Sequence, residues 1–238
     1  MPIVRINGRL VYYCHVPKAA GTAMEAYLRA QFGPLAFADE QFYDVDAPDR
    51  WTRSSPQHLD VESLGRLFPA DFFDDVFAVV RDPVSRLVSA YKFQKLVEGL
   101  IPSDTSFDAW ALGLDRATIG RRFALDNHLL PMHRLVPEGA HVFRLESGLG
   151  AVIEYLRGLA APEAVLPDSV EPVNVLSVRL DWMGAADEAV TVGDAARRHI
   201  AALYREDYER FGYPLPSPVG PKAEAAAASS GCDEAASD

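Results

Sequence analysis

Apolar residues along the chain alternate between two spacings. Three short runs rich in β-forming residues predict buried strands, at 9–16, 75–80 and 141–146. Each run is followed by apolar residues at the spacing of one helix face, at 22–32, 83–97 and 150–159. Strands that alternate with helices favour a parallel sheet covered by helices on both faces. The pattern therefore predicts an α/β fold.

Outside these units the pattern is weaker. A short helix is predicted at 60–68 and a long amphipathic helix at 192–212. The stretch at 101–135 is expected to mix helices and loops. Pro, Asp and aromatic residues predict an irregular segment at 33–56.

Length and composition fit one domain with a tail. The 238 residues are enough for a single domain with a sizeable core. From about Pro216 the chain turns to Ser, Pro, Ala and acidic residues, with no apolar face to bury. We therefore expect a folded domain at 1–216 and a low-complexity tail at 217–238 that is disordered or loosely helical.

Charge and cysteine usage narrow the class of protein and its compartment. A net charge of −11 argues against a general nucleic-acid binder, so an anionic ligand would need a local basic pocket. Cys14 lies in a predicted core strand and Cys232 in the tail, so no disulfide is expected and a reducing compartment fits. No apolar stretch approaches the ~20 residues that span a bilayer. Arg5, Asn7 and Arg9 break the N-terminal segment, which is unlike a signal peptide. We expect a cytoplasmic protein without a membrane span.

The stretch "HVPKAAGTAM" at 15–24 connects the first predicted strand to the first predicted helix. Such a loop offers unpaired backbone N–H groups and the positive end of the helix dipole, which together bind phosphate or sulfate groups. Gly21 would let the backbone approach an anion closely, Lys18 would add a positive charge, and Thr22 a hydroxyl. Thr22 is also the expected N-cap of the helix, with Glu25 completing a capping box. A plain turn with a solvated lysine is the simpler alternative.

The loop differs from the nucleotide-binding loop of P-loop NTPases. Its lysine precedes the glycine, whereas the G-x-x-x-x-G-K-[ST] pattern places the lysine after it. The second predicted strand ends in Arg81 followed by Asp82, so no acidic residue stands directly at the strand end to hold Mg²⁺. The positive charge at this cradle is therefore expected from the protein rather than from a metal ion.

Together with "FAVVRDPVSRLVSAY" at 77–91, the loop resembles the PAPS-dependent sulfotransferases, specifically the carbohydrate-type family 2 that includes the uronyl 2-O-sulfotransferases. That family carries a 5′-phosphosulfate loop of the form H-[IV]-P-K-[TA]-[AG]-G-[ST] and a 3′-phosphate segment, F-x-x-V-R-[DN]-P-x-x-R-x-x-S-x-[YF]. Both stand here nearly unbroken and in the right order, and the resemblance extends over roughly 10–215. It implies a P-loop NTPase-like three-layer fold. It also implies PAPS as co-substrate, adenosine 3′,5′-bisphosphate (PAP) as product, and no metal.

The resemblance also implies roles for residues of both motifs. Lys18 would contact the 5′-phosphosulfate and stabilise charge on the departing phosphate. The donor-binding residues of the first loop would be Pro17, Lys18, Ala20, Gly21, Thr22 and Ala23. Arg81 and Ser89 would hold the 3′-phosphate, and an arginine suits this task because it can grip a phosphate bidentately. Arg86 points away from Ser89 by helical spacing and is expected to be structural. The alternatives are a strand-end salt bridge for Arg81 and a helix-packing role for Ser89.

A histidine is the expected general base that takes the proton from the acceptor. His58, in "QHL", is preferred, because a histidine before a leucine is the candidate base in the matching segment of similar proteins. A surface histidine that caps the 60–68 helix is the alternative interpretation of His58. His128, His133 or a carboxylate remain open as the base. The three other histidines, for which no catalytic role is expected, are His15, at the donor site, and the structural His141 and His199.

These features predict a sulfotransferase of the EC 2.8.2 class that moves a sulfuryl group in line from PAPS to an acceptor hydroxyl. The resemblance favours a saccharide or glycolipid acceptor. Four aromatic residues could stack on a sugar or simply belong to the core: Phe42, Tyr43, Trp51 and Trp110. One alternative is a non-catalytic protein that binds PAP or PAPS. The other is a small-molecule kinase on a related fold, which would bind ATP with Mg²⁺.

Overall fold

The computed structural model describes residues 2–172 and 189–216. Within them, four strands form one sheet in the order β1 (Ile3–Ile6), β2 (Arg9–Cys14), β3 (Asp75–Val80) and β4 (His141–Arg144). Strands β2, β3 and β4 are parallel neighbours. The three strands predicted from the apolar runs are thus confirmed, although β4 ends at Arg144 rather than at residue 146.

The three predicted strands are parallel, as expected, but the sheet as a whole is mixed because it has a further strand that was not predicted. Strand β1 runs antiparallel to β2 along the edge of the sheet. A tight turn at Asn7 and Gly8 joins the two strands, and their φ angles are 48° and 83°. Two residues in a row with positive φ suit the two-residue hairpin turns that favour Asn-Gly. The prediction missed β1 because Arg5 interrupts its short apolar run, although the Asn-Gly pair was a usable signal.

Helices connect and cover the strands. They are α1 (Gly21–Phe32), α2 (Val61–Leu67), α3 (Pro83–Lys92), α4 (Phe107–Leu112), α5 (Arg116–Ile119), α6 (Gly150–Leu159), α7 (Asp194–Leu203) and α8 (Arg205–Phe211). Helix α3 continues into a π-helical turn at Phe93–Val97. The single helix predicted at 192–212 is instead two, because the backbone of Tyr204 leaves the helical region with a ψ of 25°. Among the described residues, none of these helices has the length and apolar character needed to cross a membrane.

Side chains cap the start of four described helices, α2, α3, α4 and α5. Asp60 accepts a hydrogen bond from the backbone N–H of Ser63 at 3.0 Å, and so caps α2. Asp82 caps α3 in the same way. The capping box predicted for α1 is wrong, because α1 begins after Ala20, whose φ of 63° is left-handed, and no side chain caps it.

The sheet has a hydrophobic core on each face. Tyr12 of β2 packs on one face with side chains of α3 and α7, while Tyr13 packs on the other with side chains of α1 and α6. Successive residues of a strand point to opposite faces, so β2 contributes to both cores. The predicted arrangement of helices on both faces is confirmed. Cys14 is buried in this strand, as predicted, whereas Cys232 and the tail at 217–238 lie outside the described residues.

Candidate active site

The loop between β2 and α1 ends in a set of backbone donors. Lys18 and Ala20 both adopt left-handed conformations, with φ of 67° and 63°. The first hydrogen bond of α1 runs from the N–H of Met24 to the carbonyl of Ala20, at 3.1 Å. The N–H groups of 21–23 therefore precede the intrahelical bonds, as at the start of any helix. This is the backbone geometry in which helix N-termini bind phosphate and sulfate groups.

Position 21 requires a glycine because a neighbouring side chain leaves no room for a Cβ atom. A Cβ atom at this position would lie 1.8 Å from Nε2 of His15. The imidazole of His15 therefore fills the space that a side chain at residue 21 would take. His15 is hydrogen-bonded to Glu25 of α1, which links the end of β2 to the helix. Burial lowers the pKa of His15, the charge of His58 lowers it further, and Glu25 opposes both effects.

Arg81, at the end of β3, contacts the first loop. Its guanidinium donates a hydrogen bond to the backbone carbonyl of Lys18, at 3.2 Å. The alternative interpretation, an ion pair of Arg81 with Asp82 or another carboxylate, stays open, because burial lowers the pKa of Arg81 while the charges of Glu146 and Asp82 raise it. Ser89 lies two turns into α3 and is partly exposed. The two sequence motifs, which are far apart along the chain, are thus in direct contact.

Arg86 lies in the second motif but has a different environment. It is fully buried, and it donates hydrogen bonds to the backbone carbonyls of His128 at 3.0 Å and Leu130 at 2.9 Å. These contacts tie α3 to the segment that carries His128. Arg86 is therefore structural, as expected, but because of its burial: residues three apart in a helix share a face, so spacing does not separate Arg86 from Ser89.

Lys18 extends toward a group of aromatic rings. Its ammonium lies 4.0 Å from the centroid of the Phe93 ring, within the range of a cation–π interaction. Phe93 in turn contacts the ring of His128, with 5.3 Å between centroids. The positive charge of the loop therefore lies beside the histidine cluster described next.

His58 is buried and carries an orienting carboxylate. Its Nδ1 lies 2.7 Å from Oδ2 of Asp126, and the residue is 8% exposed. The amide of Asn127 donates to the backbone carbonyl of His58 at 2.8 Å. Since Asp60 caps α2 and His58 is buried, the interpretation of His58 as a surface cap does not fit. Sequence analysis missed Asp126, which is 68 positions away in the chain.

Asp126 is the centre of a network of four hydrogen bonds. Besides His58, it accepts from the backbone N–H of Ser55 at 2.6 Å, from the Ser55 hydroxyl at 2.8 Å and from the hydroxyl of Tyr43. Burial raises the pKa of the Asp126 carboxyl, but the charge of His58 and the hydrogen bonds from His58 and Tyr43 hold it well below its ordinary value. These contacts therefore favour the ionised form of Asp126.

The backbone around Asp126 is strained. Three successive residues, 125–127, have φ between 48° and 59°, and Phe123 has φ of 66°. Left-handed conformations are costly for residues other than glycine, and they concentrate at functional sites. The surrounding contacts hold Asp126 in a conformation that the isolated chain would avoid.

Three histidine rings meet at this site. The ring of His58 lies 4.5 Å from that of His15 and 5.5 Å from that of His128. Burial holds the pKa of His128 well below its ordinary value, and the charges of His58 and Lys18 act in the same direction. The contact with His15 connects His58 to Gly21 and so to the loop. The predicted base is thus next to the predicted donor site.

The same cluster has the composition of a cation site. One ligand atom from each of His58, Asp126 and His128 lies within 4.8 Å of the others. However, the oxygens of Asp126 already accept four hydrogen bonds. Three of these bonds end on Oδ2 and one on Oδ1, so a metal ion at Oδ2 would have to displace donors, whereas Oδ1 keeps an acceptor site.

Comparison with known proteins identifies the family. A family model described as a sulfotransferase family matches residues 6–146, which is more than half of the chain. The chain belongs to this sulfotransferase family. The match includes both motifs and the segments that carry His58 and Asp126. It confirms the family predicted from the two motifs. Comparisons with curated proteins and with solved structures gave no match.

The remaining histidines of the sulfotransferase are tied to structural groups. Both ring nitrogens of His133 contact carboxylates of α8, Nδ1 with Asp207 at 2.8 Å and Nε2 with Glu206 at 3.1 Å. His199 bonds the backbone carbonyl of residue 114, and His141 packs against the ring of Tyr155. The structural placement of His141 and His199 agrees with the prediction, whereas His133 lacks an open nitrogen.

The four aromatic residues predicted as a sugar surface separate into two groups. Phe42 is buried, and Trp110 packs against core rings of α3 and α4. Tyr43 and Trp51 are exposed by 53% and 64%. The indole N–H of Trp51 donates to Asp39 at 2.8 Å. Only Tyr43 and Trp51 are therefore available to a ligand.

Proposed function

We propose that this sulfotransferase moves a sulfuryl group from PAPS to a hydroxyl of a saccharide or glycolipid, with His58 as the general base. The observation that carries the proposal is the hydrogen bond of 3.2 Å between Arg81 and the carbonyl of Lys18. It brings the two predicted phosphate-binding motifs together, so that one ligand can reach both. A single small molecule with phosphate groups at both ends, such as PAPS, fits this requirement.

The donor would lie with its 5′-phosphosulfate at the start of α1. The backbone N–H groups of 21–23 and the ammonium of Lys18 would bind its oxygens, and Pro17 and Ala20 would shape the loop around them. Thr22 is exposed and could donate its hydroxyl. Arg81 and Ser89 would hold the 3′-phosphate, since both follow β3 on the side of the loop.

His58 and Asp126 would carry the proton transfer. With Nδ1–H donated to Asp126, the lone pair of His58 resides on Nε2, which can accept the proton of the acceptor hydroxyl. The acceptor oxygen then attacks sulfur, the S–O bond to the 5′-phosphate breaks, and PAP leaves with the electron pair. Lys18 would stabilise the negative charge that develops on the departing phosphate oxygen. The products are a sulfate ester, PAP and a protonated His58.

Ligand-dependent thermal stability tests the donor assignment. PAP should raise the unfolding midpoint, because a ligand present at 100 times its Kd stabilises the folded state by about 2.7 kcal/mol. ATP, with or without Mg²⁺, should raise it much less. A larger shift with ATP and Mg²⁺ than with PAP would instead indicate a kinase.

A second experiment separates an enzyme from a protein that only binds the donor. The protein is incubated with sulfur-labelled PAPS and a panel of neutral and acidic glycosides, and the labelled sulfate esters are counted. The His58→Ala variant should keep the PAP-induced stabilisation and lose transfer. Equal transfer by the variant and the natural protein would exclude His58 as the base.

A further inference from the structure

We infer that the acceptor is an uncharged glycoside whose sugar ring stacks on Trp51, in a cavity beside the segment that carries His58. This inference rests on the proposed function and deepens it by naming the acceptor class. The cavity has a volume of about 310 Å³ and is lined by Phe37, Ala38, Asp39, Trp51 and Pro56. A volume of this order is at the lower end of those that hold small-molecule ligands.

The cavity adjoins the segment of the base. Pro56 lines the cavity and begins the 3-10 turn Pro56–His58, which ends at the candidate base. The amide of Gln57 donates to the backbone carbonyl of Asp39, at 3.0 Å. The cavity wall is therefore hydrogen-bonded to the turn that ends at His58. A sugar in this cavity would lie beside that turn.

Trp51 has the properties of a stacking residue. It is 64% exposed, so the core does not cover its large apolar surface. Its indole N–H is held by Asp39 at 2.8 Å, which fixes the orientation of the ring. An exposed indole in a fixed orientation offers a flat apolar face, on which the C–H groups of a sugar ring can pack.

The charge of the cavity lining favours neutral sugars over acidic ones. Asp39 is the one charged residue of its lining, and Oδ1 and Oδ2 each accept a single hydrogen bond, from the N–H of Gln41 and from Trp51. Each oxygen retains a lone pair for a sugar hydroxyl. The segment 37–56 carries five acidic residues and two arginines. Both arginines pack on aromatic rings, Arg50 on Phe42 and Arg53 on Phe123. Of these acidic residues only Asp39 lines the cavity, and Glu40 is paired with Arg29, so a carboxylate on a bound sugar would meet Asp39 with no basic residue in the lining.

Binding of two matched glycosides tests the acceptor class without requiring turnover. The probes are methyl β-D-glucopyranoside and methyl β-D-glucuronide, which differ by one carboxylate, together with the corresponding galactose pair. Their binding to the full-length protein with saturating PAP is measured by ligand-observed NMR. We expect the neutral member of at least one pair to bind about tenfold or more tightly than its uronide.

Two variants locate the site. Trp51→Ala should weaken the neutral glycoside about tenfold, because the stacking surface is lost. Asp39→Asn should reduce the preference for the neutral member, whereas Asp44→Asn, which changes an exposed carboxylate of the same segment outside the cavity lining, should leave that preference unchanged. Stabilisation by PAP should be the same in all three variants.

The inference is overturned if neither neutral glycoside binds, if the uronides bind as tightly, or if Trp51→Ala leaves binding unchanged. Loss of PAP stabilisation in the natural protein would contradict the proposed function instead. The two failures are therefore distinguishable.

Discussion

Two histidine–aspartate pairs of this sulfotransferase have nearly the same geometry and different surroundings. His58 and Asp126 are 2.7 Å apart, and His133 and Asp207 are 2.8 Å apart. In both pairs the carboxylate is buried and contacts Nδ1 of the imidazole. Distance and burial alone therefore do not separate a candidate catalytic pair from a structural one.

The two pairs differ in the second ring nitrogen. Nε2 of His133 contacts Glu206, so both of its nitrogens are occupied. Within residues 2–172 and 189–216, no hydrogen bond reaches Nε2 of His58. A general base needs a free lone pair, and only the first pair leaves one.

The two carboxylates also serve different partners. Asp207 accepts hydrogen bonds from the backbone N–H groups of Met132 and His133, each at 2.8 Å, and so joins α8 to the chain before β4. Asp126 accepts from side chains of the 43–58 segment and lies in a strained loop. The first arrangement stabilises packing, whereas the second fixes one imidazole at the cost of backbone strain.

Removing the histidines should separate the pairs most clearly. His58→Ala should lower kcat by about 10²–10⁴-fold, the usual contribution of a general base. His133→Ala should retain the rate and lower the thermal midpoint, because its contacts with α8 are lost. Transfer of labelled sulfate and thermal unfolding measure the two effects. A larger loss of rate in His133→Ala would reverse the assignment.

Removing the carboxylate charge should have the next largest effect. Asp126→Asn should lower kcat by about 10²-fold, because the base remains but its tautomer and orientation are no longer fixed. Transfer of labelled sulfate measures the loss. A merely structural Asp126 would leave kcat unchanged.

Asp207→Asn is the matched control for this variant. It should cost about 3 kcal/mol of unfolding free energy, measured in urea, because buried hydrogen bonds to a charged acceptor are weakened. Its kcat should remain that of the natural protein. Equal effects of the two Asp→Asn variants on rate would contradict the distinction.

A smaller effect is expected at Arg81, which connects the second motif to the donor loop. Arg81→Lys should weaken PAP about tenfold, because lysine cannot combine the bond to the Lys18 carbonyl with bidentate phosphate binding. Arg66→Lys, on the exposed face of α2, is the control and should bind PAP normally. Titration calorimetry measures both. If Arg81→Lys bound PAP with unchanged affinity, the second motif would not be part of the donor site.

The smallest expected effect is the pH dependence of stability. Burial holds the pKa of His128 well below its ordinary value of 6.5, so the unfolded chain binds a proton that the folded protein excludes. Stability is then fully present above pH 6.5 and is lost as pH falls, by up to about 1.4 kcal/mol per pH unit for one proton. His128→Phe should reduce this slope in urea unfolding followed between pH 7 and pH 5. An unchanged slope would mean that His128 takes up no proton on unfolding.

Sequence was sufficient for most of the fold because its main signals are local. The strand at 75–80 and the helix at 150–159 were predictable from the spacing of apolar residues within each segment. The two errors in the predicted secondary structure also arise within single segments. A short strand with a central arginine escaped detection, and the helix break at Tyr204 has no Gly or Pro to mark it.

The candidate site was only partly predictable because its contacts are not local. The loop at 15–24 and His58 could be selected from residue types and from a resemblance. Asp126 could not, because its partner is 68 positions away and its left-handed backbone is imposed by tertiary contacts. Likewise, the reason for Gly21 depends on the His15 ring, whose position requires the folded strand and helix.

A crystal structure with PAP bound tests the central claim most directly. We predict one PAP molecule with its 5′-phosphate at the start of α1 beside Lys18, its 3′-phosphate on Arg81 and Ser89, and His58 facing the side from which sulfur is attacked. A PAP molecule bound elsewhere, or one that reaches Lys18 but leaves Arg81 and Ser89 without a phosphate, would contradict it.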